Sequence, residues 1–426
     1  MCFPLPNTQY FVIPRRASEK IFPLLASTCH AILWCITEAR GEIVANKRGN
    51  SEGYVRQRSD GRWEGQYVAG RKADGSIIRK SIYRASQEEV LKELLKIRQQ
   101  QATGQYVQPD KMTVGQWLET WLETYIKPTR RPATAVSYAN IIKSHLTPML
   151  GRVVLQKLRP ENVQAMCNAM KDKGLKPATV TKARNVLKAA MKQAIINRLI
   201  LTDPCEGATP PKMEQEEIKY LSLEEQRRFV AALPDTTYGR ALGFILGTGL
   251  RIAELCGLRW RDVKGTTVSV SQTIRRLQTL KEGDGPKTEL VTTKPKTKAG
   301  LRTIPLPPKL QTSLKREKQE QAKMLLLLGV PKWENDLVFC TESGKPLEVR
   351  NVSRALYKLL DDLGIERLGV HALRHTFATR AIENGMDVKT LSEILGHADV
   401  ATTMRLYVHS SMDTKQKSMN AMNDLL

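Results

Sequence analysis

The chain has 426 residues, which is long for one hydrophobic core and predicts two or three domains. Its 67 lysines and arginines against 43 aspartates and glutamates give a formal charge of +24, which excludes the near-neutral balance of an ordinary enzyme and predicts a polyanionic partner, nucleic acid first. The seven cysteines form no CxxC pair, which argues against a disulfide framework or zinc module and fits a reducing cytoplasm.

The N-terminal segment contains an apolar run, IFPLLASTCHAILWCI, that superficially looks like a signal peptide. Pro23 and His30 interrupt it, it is too short to span a bilayer, and no small-residue cleavage site follows. We expect residues 1–46 to be a disordered extension of unknown role. The protein itself is expected to be cytoplasmic and nucleoid-associated, with no membrane partner.

Residues 47–105 are predicted to form a three-stranded antiparallel sheet followed by one helix. The turn sequences SDG and ADG separate runs rich in Tyr, Val, Ile and Trp, which is typical of short strands. Ser86 and Glu89 have the spacing of a capping box, and helical periodicity follows them.

One face of this sheet is expected to present basic residues around Trp63 and Tyr67. A small ribbon with arginines suits the major groove or the phosphate backbone, although solvated charge explains the same residues about as well. The candidates for DNA binding in this region are Arg56, Arg58, Arg62, Trp63, Arg71 and Lys72.

Residues 110–204 are predicted to be all-helical, and their long last helix carries the further DNA-binding candidates Lys182 and Arg184. The segment 205–219, with its prolines and mixed charge, is predicted to be a linker. Residues 220–426 alternate helices with short β segments. The predicted fold class is therefore multidomain α+β, with a sheet-plus-helix domain, an all-helical domain and a mostly helical domain that contains a small sheet.

Four segments of the last domain combine chemically useful residues: GTGLRIAELCGLRWRDV, TTKPKTKAGLRTIPL, HALRHTFATR and LGHADVATTMRLYVH. Arg251 and Glu254 stand three residues apart and share a helical face, which alone fits a surface ion pair equally well. His371 and His375 are spaced as metal ligands, but the glutamate of HExxH is missing between them, so no metal site is predicted.

The last segment places a histidine outside a helix and a tyrosine on the next one. Gly396 is a natural C-terminal cap, so His397 lies just beyond the helix, where a side chain suits ligand contact. Tyr407 alone would be an ordinary buried aromatic residue. Taken jointly and in this order, the four segments resemble the tyrosine recombinases, the phage-type integrases, over residues 53–426.

The resemblance implies that Tyr407 is the nucleophile, which forms a covalent 3′-phosphotyrosine link and frees a 5′-hydroxyl. The planar forks of Arg251 and Arg374 would hold the non-bridging phosphate oxygens and stabilise the charge of the transition state. Glu254 would orient nearby groups. No metal or other cofactor is implied.

The same resemblance assigns the proton transfers. Lys296 would protonate the leaving oxygen from the turn before the strand that ends in IPL, with Lys294 and Lys298 as alternatives. His371 would be the general base and His397 would hydrogen-bond the phosphate. The two remaining histidines of this domain, His375 and His409, are expected to be structural.

The resemblance also implies double-stranded attachment sites as the partner, a homotetramer on DNA and an accessory directionality or DNA-bending factor. Residues 47–105 would be an arm-type DNA-binding domain of the kind found in integrases of conjugative transposons and Gram-positive phages, residues 110–204 the core-binding domain and residues 220–426 the catalytic domain. A type IB topoisomerase, an Xer-type resolvase and a decayed, non-catalytic integrase are the alternatives. The predicted arm-type sheet favours a mobile-element integrase over the first two, and the joint motifs argue against the third.

Overall fold

The computed structural model describes residues 54–71, 74–104, 106–213, 218–280, 286–329 and 336–407, together with residues 416 and 420. The side chains of residues 405–407 lie outside this description, as do the predicted extension 1–46, Lys72 and His409. The chain divides into two compact units, Met1–Gln108 and Pro109–Leu426.

The first unit is an antiparallel sheet in the order β1-β2-β3, packed against one helix. The Ser86 hydroxyl accepts a hydrogen bond from the Glu89 N–H at 3.3 Å, which confirms the predicted helix start. Gly65 faces this helix, and a Cβ there would lie 2.4 Å from Cγ1 of Val90, so the close packing requires glycine. The elements are β1 Tyr54–Gln57, β2 Trp63–Arg71, β3 Ile77–Arg84 and α1 Gln87–Ala102.

The prediction that arginines surround Trp63 and Tyr67 on one face of this sheet is wrong. Trp63 and Tyr67 belong to the hydrophobic cluster formed with helix α1, and Tyr67 is 9% exposed. Because neighbouring strand residues point to opposite faces, Arg56, opposite Glu64 in the register, lies on the other face. Its guanidinium donates to the Glu64 carboxylate at 2.8 Å.

The N-terminal part of the second unit is helical, as predicted. Prolines open three of its helices, where a fixed φ and a missing N–H carry no penalty. Trp117 anchors the core and donates its indole N–H to the Ala190 carbonyl at 3.0 Å. The helices are α2 Val114–Trp121, extended by a π-helical turn Leu122–Ile126; α3 Pro132–Ile141, extended by a second π-helical turn Ile142–Leu146; α4 Thr147–Leu150; α5 Pro160–Asp172; and α6 Pro177–Ile196.

The remaining part of this unit mixes helices with short strands around a second core that contains Phe229, Phe244 and Phe339. One sheet has the order β4-β5-β8, and β6 pairs with β7 as an antiparallel hairpin. The helices are α7 Leu223–Ala231, α8 Thr237–Thr248, α9 Ile252–Leu255, α10 Pro308–Leu327, α11 Val349–Asp362, α12 Val370–Glu383, α13 Val388–Leu395 and α14 Val400–Tyr407. The strands are β4 Val263–Lys264, β5 Thr267–Val270, β6 Thr273–Gln278, β7 Thr288–Thr293 and β8 Arg302–Pro305.

These elements confirm the predicted α+β fold class, with a small sheet and helix, a helical region and a mostly helical region that contains strands. Within the described residues, no helix is both long and apolar enough to span a bilayer.

Candidate active site

Arg251 and Glu254 form the first part of the site. Helix α8 ends at Gly249 in the left-handed conformation, φ 65°, and the chain then turns so that Arg251 starts the short helix α9. Glu254 accepts two hydrogen bonds from Arg251, at 3.0 Å from its backbone N–H and at 2.8 Å from Nη1. The Glu254 side chain is only 3% exposed, whereas that of Arg251 is one-third exposed and faces a cavity.

Arg302 is the second partner of Glu254. Its guanidinium binds both carboxylate oxygens, at 3.2 Å and 2.9 Å, and also donates to the Gly300 and Ile394 carbonyls. Burial alone would raise the pKa of Glu254, but hydrogen bonding and charge from Arg302, and then from Arg251, hold that pKa below its usual value. Glu254 is therefore a carboxylate shared by two arginines.

Arg374 lies on helix α12 and is 2% exposed. It donates to the Gly249 carbonyl at 2.6 Å and to the Leu395 carbonyl at 2.7 Å. Burial and then the positive charge of Arg251 lower the pKa of Arg374 to about 9, with Glu254 opposing them. Because the Leu395 carbonyl also accepts from Arg251, at 3.4 Å, the two guanidinium groups lie side by side in a region of positive potential.

His397 follows Gly396, which ends helix α13 with φ 65°, as the sequence predicts. Its Nε2 lies 2.8 Å from Nη2 of Arg374, and its Nδ1 lies 2.8 Å from the Thr403 hydroxyl. Since a guanidinium can only donate, Nε2 must be the acceptor, and Nδ1 carries the proton. Burial, followed by the charge of Arg374, lowers the pKa of His397 to about 4, so the ring is neutral at pH 7.

His371 and His375 stand one turn apart at the start of α12, with ring centroids 4.7 Å apart in an edge-to-face arrangement. Loss of hydration and then the charges of Arg374 and Arg251 lower the pKa of His371, with Glu254 opposing them. Burial and the neighbouring His371 lower the pKa of His375 to about 4. Among the described residues, no group of three or more His, Cys, Asp or Glu side chains is arranged to hold a metal ion.

Lys296 lies in the segment between β7 and β8, and it lines a cavity of about 510 Å³ together with Arg251 and His397. Lys294 lines the same cavity, whereas Lys298 begins the helical turn Lys298–Gly300 and is not among the lining residues. The cavity therefore favours Lys296 and Lys294 over Lys298. Tyr407 is the last residue of helix α14, and its side chain is not described.

Part of the cavity lining comes from the helical region. Arg131, just before helix α3, donates to the backbone carbonyls of Lys294, Pro295 and Lys296 at 3.2, 3.2 and 3.3 Å. The segment that carries Lys296 is thereby tied to a residue 165 positions earlier in the chain.

The DNA-binding candidates have mixed environments. Arg58 and Arg62 pair with Asp60, and Arg71 donates to the Gly75 carbonyl. Lys182 is exposed on α6. Arg184 donates to the Cys205 carbonyl at 2.9 Å, so part of its guanidinium ties the end of the helical region to α6.

Two side chains of the site escaped the sequence prediction. Arg302 shares a strand face with Ile304, which is 2% exposed. The alternation of the strand therefore predicts that the Arg302 side chain also points inward, and a charged residue at such a position could have been recognised in the sequence. Thr403 is fully buried on α14, one turn before Tyr407, but a threonine in a helical pattern carries no signal that distinguishes it from packing.

Comparisons with known proteins show which family the chain resembles. The phage integrase family matches residues 219–414, and the N-terminal SAM-like domain of phage integrases matches residues 113–171. A XerC-like tyrosine recombinase of Caldanaerobacter subterraneus subsp. tengcongensis is 28% identical over 84% of this chain and 94% of its own length. The ICEBs1 integrase of Bacillus subtilis strain 168 is 24% identical over 67% of this chain and 76% of its own length.

Solved structures share the fold. The Tn1549 transposon integrase in complex with a circular intermediate DNA matches 73% of this chain and 99% of its own with a TM-score of 0.61 at 22% identity. A lambda integrase tetramer bound to a Holliday junction matches 83% of this chain and 97% of its own with a TM-score of 0.52 at 19% identity. The fold, together with the matches to recombinases and integrases, defines the chain as a DNA strand-transfer enzyme. The chain belongs to the phage integrase, or tyrosine recombinase, family.

Proposed function

We propose that this recombinase integrates and excises a mobile element by cutting and rejoining DNA through a covalent 3′-phosphotyrosine intermediate. The observation that carries the proposal is the cavity where Arg251 and His397 meet Lys296, beside the buried Arg374. Arg374 and His397 both have lowered pKa values there, so the site disfavours added positive charge and suits an anion. A phosphodiester is the anion that the family resemblance predicts.

The arginines would act on the non-bridging oxygens of the scissile phosphate. Backbone carbonyl groups hold Arg374 in position, and Glu254 holds Arg251. Neither guanidinium therefore needs to reorganise when negative charge develops on the phosphate. Fixed donors of this kind stabilise a transition state more than mobile ones. Arg302 supports the arrangement because it neutralises the second oxygen of Glu254.

The proton transfers complete the reaction. The Tyr407 oxygen would bond to phosphorus while the bond to the 5′-oxygen breaks, His371 would take the tyrosine proton, and Lys296 would supply a proton to the leaving oxygen. The phosphotyrosine bond retains the energy of the phosphodiester, so the reverse attack by a new 5′-hydroxyl rejoins the strands without ATP. His397 would face the same phosphate.

The same proposal includes the DNA sites that each domain binds and the oligomeric state on DNA. Residues 47–105 would bind arm-type sites through the basic residues of the small sheet, residues 110–204 would bind the core site through Lys182 and its neighbours, and residues 220–426 would carry the chemistry. The net charge of +24 supports a large DNA contact. The lambda integrase tetramer on a Holliday junction supports a homotetramer on paired duplexes. A DNA-bending or directionality factor is a further part of the proposal.

The test uses a nicked duplex that carries the end of the mobile element encoding the chain. Cleavage releases a short fragment that carries the free 5′-hydroxyl, and this fragment diffuses away. The covalent complex therefore accumulates and appears as a shifted band on a denaturing gel. We expect this band with the unmodified protein in EDTA. Tyr407→Phe should bind the duplex in a native gel but yield no band, because the substitution removes only the nucleophilic oxygen.

The matched control is Tyr357→Phe, which removes the same atom from a tyrosine on helix α11 whose ring lies beneath the guanidinium of Arg367. It should leave the band intact. A covalent band that persists in Tyr407→Phe would contradict the assignment of the nucleophile. DNA binding without any band in the unmodified protein would contradict the proposed activity.

A further inference from the structure

Thr403 connects the helix that carries Tyr407 to the polar centre of the site. Its side chain is fully buried, and its hydroxyl lies 2.8 Å from Nδ1 of His397. It stands on α14 four residues before Tyr407, and His397 lies in the turn that precedes this helix. A buried hydroxyl is expected to have a hydrogen-bond partner, and the described geometry gives it this imidazole.

The contact determines which nitrogen of His397 carries the proton. Arg374 donates to Nε2, so the neutral ring must hold its hydrogen on Nδ1 and donate it to the Thr403 oxygen. Histidine tautomers are fixed in this way by the hydrogen bond of the nitrogen that faces away from the reacting group. Without an acceptor at Nδ1, the opposite tautomer would become available and its Nε2–H would point at a guanidinium.

We propose that Thr403 is a positioning residue for the recombination reaction: it fixes His397 with Nε2 directed at the phosphate position beside Arg374, and it seats helix α14 through the same bond. This proposal rests on the proposed function, because it concerns the histidine assigned to the scissile phosphate. The Thr403 oxygen can accept from Nδ1–H whether or not Nε2 gains a proton. The bond therefore persists when a phosphate arrives and replaces Arg374 as the partner of Nε2.

The charges around His397 sharpen the argument. Arg374 faces it from α12, Arg251 from the start of α9 and Arg302 from β8, and His371 adds to their effect. All four disfavour a protonated ring in the free enzyme, so an anion at the cavity is needed before Nε2 can carry a proton and donate. Thr403 is the neutral hydroxyl that holds the ring in place through this change.

The first experiment reads the tautomer directly in the free protein. Histidine labelled with ¹⁵N gives a different shift for protonated and unprotonated ring nitrogens, and His397→Gln identifies the signal among the six histidines. We expect Nδ1 of His397 to be protonated in the unmodified protein and in Thr403→Ser. Thr403→Val, which keeps the volume but not the hydroxyl, should lose this pattern.

The second experiment measures single-turnover cleavage of the nicked duplex. Thr403→Val should slow cleavage about tenfold or more, since a buried donor loses its acceptor, while DNA binding in a native gel stays the same. Thr403→Ser should restore the rate and the pH profile. Equal losses of binding and cleavage, or a Thr403→Ser variant as slow as Thr403→Val, would assign the residue to packing alone.

The two readouts separate this proposal from the proposed function. If the unmodified protein gives no covalent band, the recombination assignment fails, while the ¹⁵N pattern still reports whether Thr403 fixes the ring. An Nε2-protonated ring in the unmodified protein would overturn the positioning role even if cleavage proceeds normally.

Discussion

The most unusual residue of the site is Arg374, a guanidinium that is 2% exposed. Buried charges are normally paired with an opposite charge, because removing an ion from water is costly. Within the described residues, the direct partners of Arg374 are two carbonyls and the neutral ring of His397, whereas Glu254 is engaged by Arg251 and Arg302. The arrangement leaves positive charge that an incoming phosphate can compensate.

The pH dependence of cleavage tests the residue proposed as the base. A base acts in its unprotonated form. The surroundings of His371 lower its pKa below 6.5, so a larger fraction of His371 is unprotonated at neutral pH. We expect kcat/KM, which reports the free enzyme, to rise with pH and level off with a midpoint below 6.5. The measurement is the initial cleavage rate at subsaturating DNA and constant ionic strength.

His375 and His397 do not obscure this rise of kcat/KM with pH, because their pKa values of about 4 place their titration at more acidic pH. His371→Gln should remove this rise, so that cleavage is slow and its rate does not depend on pH in this range. A midpoint at or above 6.5 in the unmodified protein would argue against His371 as the base.

At the level of elements, two helix ends assemble the site. Helices α8 and α13 both stop at glycines in the left-handed conformation, Gly249 and Gly396, and their terminal carbonyls lack partners within the helix. Arg374 takes the carbonyls of Gly249 and Leu395, and Arg251 takes those of Leu395 and Gly396. Cations are favoured at helix C-termini, so the fold stabilises the two arginines that are proposed to hold the phosphate.

The Gly396 turn gives a prediction at this scale. Its φ of 65° disfavours a side chain, and a Cβ would also lie 2.8 Å from the Ala299 carbonyl and 2.8 Å from Nη1 of Arg302. Gly364→Ala is the matched control, because φ there is 63° and the added Cβ would meet nothing within 4 Å. Gly364→Ala should cost only the left-handed strain, roughly 1–2 kcal/mol. Gly396→Ala should cost more and slow cleavage.

The midpoint of thermal unfolding and the rate of covalent complex formation give the two readouts for both variants. Equal losses of thermal stability would mean that the close approach at Gly396 contributes nothing. A Gly396→Ala variant that cleaves at the normal rate would mean that the turn does not position His397.

Local signals in the sequence predict elements better than orientations. The Ser86 cap, the Gly396 cap and the shared face of His371 and His375 follow from residue types a few positions apart, and the structure has them. The face predicted for Trp63 is wrong because a shift of one residue in a strand exchanges both faces. The contact between Arg131 and the Lys296 segment joins distant parts of the chain, and no local pattern encodes it.

At the scale of the whole second unit, the site is a small cavity that is partly open to solvent. Its volume of about 510 Å³ is that of a small-molecule pocket. A double helix, whose major groove alone is about 12 Å wide, needs more room. The helical region contacts the chain next to both hairpin strands. Arg131 binds the segment after β7, and Nζ of Lys127 donates to the Leu280 carbonyl after β6 at 3.2 Å. Leu280 also packs against the helical core.

Duplex binding should therefore separate Arg131 from the carbonyls of residues 294–296, and removal of this contact should favour the open state. Arg131→Gln loses the charge-assisted hydrogen bonds, which at an exposed position contribute about 1 kcal/mol, so duplex association should become roughly fivefold faster than in the control. The control is Arg130→Gln, which removes the same charge from an exposed neighbour and should only weaken electrostatic steering. Stopped-flow fluorescence with a labelled duplex compares the two rates at one salt concentration. If Arg131→Gln associates no faster than Arg130→Gln, the contact is not a barrier to DNA entry, and the cavity must open elsewhere.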